Sequence, residues 1–293
     1  MSNAEQMILM SPGPSNNNCR IVEAYLNWKS RLLLALSVFA LAAPLPAGAV
    51  DLDALRKDNG CKRCDLKLSN LRGLELTGAD FSRTNFREAD LKEARFPSGN
   101  FRQSDFRRAE VEKADLSNSD LSAVEARGAD FEKSMLAGVK FIDANLRNTD
   151  FDHATLIGAD FTEADLRDAR MKRADLSQSI LVDTKMDFVN LERSLLWGAD
   201  LTGARLIQVD LDRVDAHGAT FHNADLTQAR MSSANFSGAD FKGANMKNAL
   251  MRRTNFSGAD LSEAKGLDQK RLSLACGDEL TKLPKGFEIE PCG

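Results

Sequence analysis

The sequence predicts an all-β solenoid built from four-sided coils, and three observations predict it. An apolar residue recurs every five positions from Leu66, Leu71, Leu76 and Phe81 to Phe256 and Leu261, and all forty of these centres are Leu, Phe, Met, Val or Ala. A small residue lies two positions before each early centre, as at Ala79, Thr84, Ala89, Ala94, Gly99 and Ser104. A slower rhythm of twenty is laid over the first. Phe fills six of the ten centres in the set 81, 101 to 261, but only seven of the other thirty. Gly stands two after the centre at 78, 138, 158, 198, 218, 238 and 258, seven of ten in its set, against four in the remaining thirty.

The unit reads Ala174-Asp175-Leu176-Ser177-Gln178. In extended backbone, residues two apart share a face, so the small residue and the centre point inward and the residue between them points out. The two residues after the centre are mostly polar. Two successive outward residues break the alternation and turn a corner. A period of five cannot keep one face of a helix at 3.6 residues per turn. The rhythm of twenty makes four sides per coil, hence ten coils for forty units. Stacked at the strand spacing, these make a rod about 48 Å long. Periodicity of this kind marks a solenoid. A coil this small is filled by its own side chains.

Taken in chain order, residues 1–49 read as an N-terminal extension and a signal peptide. Trp28-Lys29-Ser30-Arg31 is basic, Leu32–Leu41 is apolar apart from Ser37, and Pro44, Pro46 and Ala47-Gly48-Ala49 follow. This is a charged segment, a short apolar segment and an A-x-A cleavage site, so cleavage is expected after Ala49, with export to a bacterial periplasm or a comparable lumen. An uncleaved anchor is the alternative, but the apolar run falls short of the ~20 residues that span a bilayer. Residues 1–26 are long for such a segment, and a start at a codon read here as Val22 or Leu26 would shorten them. The chain from Val50 carries 36 basic and 41 acidic residues, a formal charge of −5. It has no basic tract suited to nucleic acid. Residues 50–63 are read as an N-terminal cap, 64–264 as the repeat and 265–293 as a C-terminal cap, because exposed stack ends need covering.

The repeat over 64–264 resembles the pentapeptide repeat family. The resemblance implies a right-handed quadrilateral β-helix; the residues themselves offer no catalytic constellation, so a non-enzymatic protein acting through protein contacts is expected. The segment from Ala275-Cys276-Gly277 to Pro291-Cys292 is similar to a tail of other pentapeptide repeat proteins. Leu267–Ala275 is expected to form a short capping helix, with Asp268 near its start.

Four cysteines follow the expected cleavage site, Cys61 and Cys64 at one end and Cys276 and Cys292 at the other. They allow three connectivities. Pairing within each end is favoured, because a rod about 48 Å long separates the ends and a disulfide cannot cross it. Cys61-Lys62-Arg63-Cys64 also fits a redox motif or half a zinc site. Cys64 falls at an inward small position, no βαβ pattern surrounds it, and two further zinc ligands are not near.

No cofactor or metal site is expected. His153, His217 and His222 all take outward positions, and most Asp residues stand just before a centre, which is the repeat's consensus. We number the sides one to four from Leu66, Leu71, Leu76 and Phe81. Side one bears Lys67, Arg87, Arg107, Arg127, Arg147 and Arg167 at intervals of twenty, and side two bears Lys113, Lys133, Arg173, Arg193 and Arg213. Acids beside both rows leave these sides nearly neutral. An anion-recognising edge between them is the sharper reading, mutual neutralisation the plainer one. Side four carries ten acids against four bases. Side three is poor in charge and presents Met135, Ile157, Leu195 and Trp197, a protein-contact face with a homodimer as one arrangement. The function these features favour is an exported interaction scaffold. A DNA-mimicking topoisomerase binder is the alternative suggested by side four and by family members, and a CxxC redox protein is the enzymatic one. Export and the cysteine-bearing tail speak against the topoisomerase reading.

Overall fold

Parallel bridges join residues twenty apart, from Gly60 with Asp80, side after side, to Asn245 with Lys265. This is the β-helical solenoid that the sequence predicts, with a coil of twenty residues. The computed structural model describes residues 50–293, which lie within the unit Pro46–Gly293. The basic segment Trp28–Arg31, the apolar run and the cleavage site after Ala49 fall outside the described residues.

The side centred on Leu66 shows how the backbone polar groups are paired. The centre Leu66 and the corner Leu68 donate to Asn85 O and Arg87 O of the next coil, at 2.8 and 3.0 Å. Asn85 donates back to Cys64 O at 2.9 Å, and Ser69 closes the turn onto Leu66 O at 3.2 Å. One donor is left, the N–H after the centre. Asp65 Oδ1, on the residue before the centre, accepts it from Lys67 at 3.2 Å. Buried backbone donors need partners, and this one explains the consensus: Asp or Asn precedes the centre because its side chain caps the side.

The corner has a specific conformation. From Arg63 to Gly258 every fifth residue is left-handed, with φ of 54–71°, and glycine holds only eleven of these forty corners. This is the third residue of a type II-like turn. A non-glycine residue there costs about 1 kcal/mol, offset by the ladder bonds on either side.

All forty centres are buried. Phenylalanines stack between coils in two runs, as in Phe141 on Phe161 at 5.1 Å and Phe221 on Phe241 at 4.8 Å. Between Phe161 and Phe221 the centres are Leu, Met and Ala. Burying each large side chain contributes about 1.5–3 kcal/mol. Several hydroxyls at small positions reach back one coil. Ser104, Ser119, Ser134 and Thr254 donate to the carbonyls of Phe81, Phe96, Val111 and Met231 at 2.7–2.9 Å.

Both ends are closed. Helix α1 (Leu52–Asp58) was not foreseen within the expected cap. Asp51 caps it, accepting from Asp53 N and Ala54 N, and left-handed Asn59 ends it. Its buried Leu55 packs against the core. Helix α2 (Gln269–Leu272) lies where the capping helix was expected, with Asp268 as its N-cap. Strand β1 (Cys276–Gly277) then pairs in parallel with β2 (Glu290–Pro291). The tail continues the ladder with a growing offset, Asn255 with Cys276 and Asp260 with Lys282. Cys61 and Cys64 are disulfide-paired with Cα atoms 5.7 Å apart, and Cys276 and Cys292 with Cα atoms 4.8 Å apart. Among the described residues no helix is long and apolar enough to cross a membrane.

Candidate interaction surface

The lattice fixes where each candidate side chain stands. On side one the basic row is partly occupied by its own chain. Arg107 and Arg167 grip Asp105 and Asp165, the acids two residues before them, and Arg87 meets Glu88 at 3.0 Å. Burial works to raise the carboxyls of Asp105 and Asp165, but hydrogen bonds from Arg107 and Arg167 prevail and hold both below the usual range. The Nε of Arg147 is buried without a hydrogen-bond partner. Lys67 and Arg127 make no ion pair among the described residues.

Side two carries a charged groove. Glu192 is approached by Lys172, Arg193 and Arg213 at 3.4–3.6 Å. The groove near it, of about 450 Å³, is lined by Lys172, Glu192 and Arg213 with Asp210, Asp212 and Arg230. Here the side-capping rule changes. Arg170 and Arg230 stand where Asp or Asn usually stands, so they cannot cap Lys172 N–H and Ser232 N–H. Asp152 and Asp212, one coil earlier, accept these donors instead, each at 2.8 Å. The same two carboxylates pair with Arg170 and Arg230. Burial is the main force pushing the carboxyl of Asp150 up, with the charge of Asp152 adding to it.

Side three holds Met135, Ile157, Leu195 and Trp197 on one exposed face. The Trp197 ring stacks on His217 at 5.8 Å, one coil on. His217 Nδ1 in turn lies 3.0 Å from Asp215. Side four uses the acids before its centres as side caps. Asp80, Asp160, Asp200 and Asp260 each accept from the backbone N–H two residues on. His222 Nε2 lies 2.7 Å from Asp240. Among the described residues no group of histidines, cysteines and acids is arranged to hold a metal.

A family model of pentapeptide repeats matches the chain in eight overlapping copies between residues 64 and 265. The chain belongs to the pentapeptide repeat family. Its similar solved structures include HetL of the cyanobacterium Nostoc, a pentapeptide repeat protein involved in heterocyst differentiation regulation. That likeness has 29% identity and a TM-score of 0.41, over 74% of this chain and 91% of that one. QnrB1, a plasmid-mediated fluoroquinolone resistance protein, is 20% identical with a TM-score of 0.37, over 72% and 90%. A pentapeptide repeat protein of the Arabidopsis thaliana thylakoid lumen is 30% identical with a TM-score of 0.24, over 37% and 68%. No curated protein matches the chain.

Two features of this pentapeptide repeat protein escaped the sequence reading. The Asp152–Arg170 and Asp212–Arg230 clamps are one; their signal is an acid moved to the position after the centre, with Arg eighteen residues later. The other is apolar exposure away from side three, at Leu68, Ile180, Phe188 and Leu250. Phe188 is the notable case, a bulky ring on a left-handed corner.

Proposed function

We propose that this pentapeptide repeat protein is an exported, non-enzymatic scaffold of about ten coils. It recognises an anionic partner along the edge between sides one and two. The observation that carries this reading is the unbroken ladder. Every coil is bonded to the next, so outward side chains are held on a fixed lattice and meet a partner without losing backbone freedom. Lys67 and Arg127, free of ion pairs among the described residues, support the anionic partner, as does the convergence of Lys172, Arg193 and Arg213 on one acid. The pattern of residues 28–49 supports export.

Two measurements test it. The intact mass of protein from the periplasmic fraction, alkylated with and without reductant, should start at Val50 with four protected cysteines. A full-length cytoplasmic product with free thiols would overturn export and put the topoisomerase reading first. Reversal of Arg107, Arg127 and Arg147 to Glu should abolish partner capture; unchanged capture would remove the basic edge. The excess of acids on side four favours the topoisomerase binder as second reading. Protection of gyrase supercoiling by the purified protein would establish it.

A further inference from the structure

Outward positions comprise the residue before each centre and the two after it, thirty on each side. Charged residues fill 18 of them on side one, 23 on side two and 14 on side four, but only five on side three: Glu75, Arg95, Asp115, Asp175 and Asp215. All five stand in the row before the centre. The two rows after it contain no Asp, Glu, Lys or Arg along their whole length, and seven of the ten corners are glycine. Against this charge-poor background Met135, Ile157, Leu195 and Trp197 are exposed by 47, 39, 42 and 40%.

We infer that side three is the interface between two copies of this chain, which pair with their rods parallel and in coil-on-coil register. Charge selects the occupant. A second copy brings the same charge-poor surface, so apolar area is covered without stranding ions. Self-pairing through any other side sets dense charge against itself. The row arrangement selects the orientation. With a two-fold axis along the rods, the row before the centre meets the uncharged rows after it. Leu195 then covers the partner's Trp197, Met135 lies against the partner's Ala137, and Asp215 faces the partner's His217. With the axis across the rods, that row meets its own kind and Asp115 opposes Asp215. The parallel arrangement has no such clash. This interface is independent of the anionic-partner reading, which uses other sides.

The test is sedimentation equilibrium of the purified full chain, with the Trp197→Glu and Leu195→Glu variants checked for native circular dichroism. The expected result is a dimer whose dissociation constant rises at least about tenfold in each variant, the scale of a lost hot spot. A second measurement holds even if a variant misfolds. A chain carrying Thr155→Cys is mixed with one carrying Ile157→Cys, and a short thiol crosslinker is added. Coil-on-coil register places these residues together, so a crosslinked dimer is expected. A monomer at all concentrations, or a dimer indifferent to both Glu variants, overturns the interface. Crosslinking between Ile157→Cys and Ser177→Cys chains instead overturns the parallel orientation. A monomer whose Trp197 is shielded only by another protein overturns the second copy as occupant.

Discussion

Asp152 serves two neighbours with one carboxylate, and its substitution separates the two roles. Asp152→Asn keeps an acceptor for Lys172 N–H but drops the charge facing Arg170. It should lose about 1 kcal/mol or less, because the Arg170 side chain is 60% exposed and solvent weakens the pair. Asp152→Ala also strands a backbone donor and should cost about 1–3 kcal/mol more. Chemical denaturation of both variants checks the order; equal losses would show that the cap contributes nothing. Two glycines give a second contrast. Gly218 has open space where a Cβ would point and a φ of 64°, so Gly218→Ala should cost only the corner's conformational preference, about 1 kcal/mol. Gly99 lacks a positive φ, but a Cβ there would stand 2.6 Å from the Phe101 ring. Gly99→Ala should therefore overpack the core at about 1–3 kcal/mol. A melting temperature for Gly99→Ala no lower than that of Gly218→Ala would contradict this.

At the scale of elements, the C-terminal cap is tied down by carboxylates. Burial works to raise Asp260, but bonds from Ser262 and Lys282 prevail and hold its carboxyl far below the usual range. Asp278 is held low chiefly by the N–H of Gly258. A carboxyl depressed in the folded state stabilises the cap above its unfolded value, near pH 4, and that stability is lost as the pH falls below it. The tail should therefore loosen first in acid. Amide signals of Leu261 and Lys282 should move between pH 5 and 2 ahead of Leu156, and Asp260→Asn should remove most of that difference. Simultaneous loss at all three sites would refute it. The caps also mark where the sequence was legible. Asp268 announced α2 because a capping residue preceded a short helical stretch. Asp51 and Asn59-Gly60 offered the same start and stop for α1. Within the prediction of a fourteen-residue cap these signals carried no period, so the helix went unread. The repeat was legible throughout because forty centres speak together, whereas the Asp152 clamp breaks the consensus and becomes readable only once the capped N–H is known.

For the whole molecule, register is the property that matters. Removing twenty residues, 142–161, takes out one coil and returns every later residue to its own side. The product should fold, shortened by about 4.8 Å. Removing five, 142–146, keeps the period but turns all later sides by a quarter, so that Trp197 no longer shares a side with Met135. That variant should remain helical in the solenoid sense yet lose its dimer. Small-angle scattering and sedimentation read the two outcomes, and a dimer surviving the five-residue deletion would contradict the assignment of side three.

The ladder bonds that stack Leu66 under Asn85 and Phe236 under Asn255 run along the rod and not across it. Tension applied between the ends therefore loads one coil interface at a time, as in opening a zip. The chain should pay out in steps of twenty residues, each releasing about 66 Å of extended length, at forces well below those needed to shear strands past one another. The paired cysteines would hold the end loops closed while the middle unwinds. A protein stiff under bending would thus be compliant under pull.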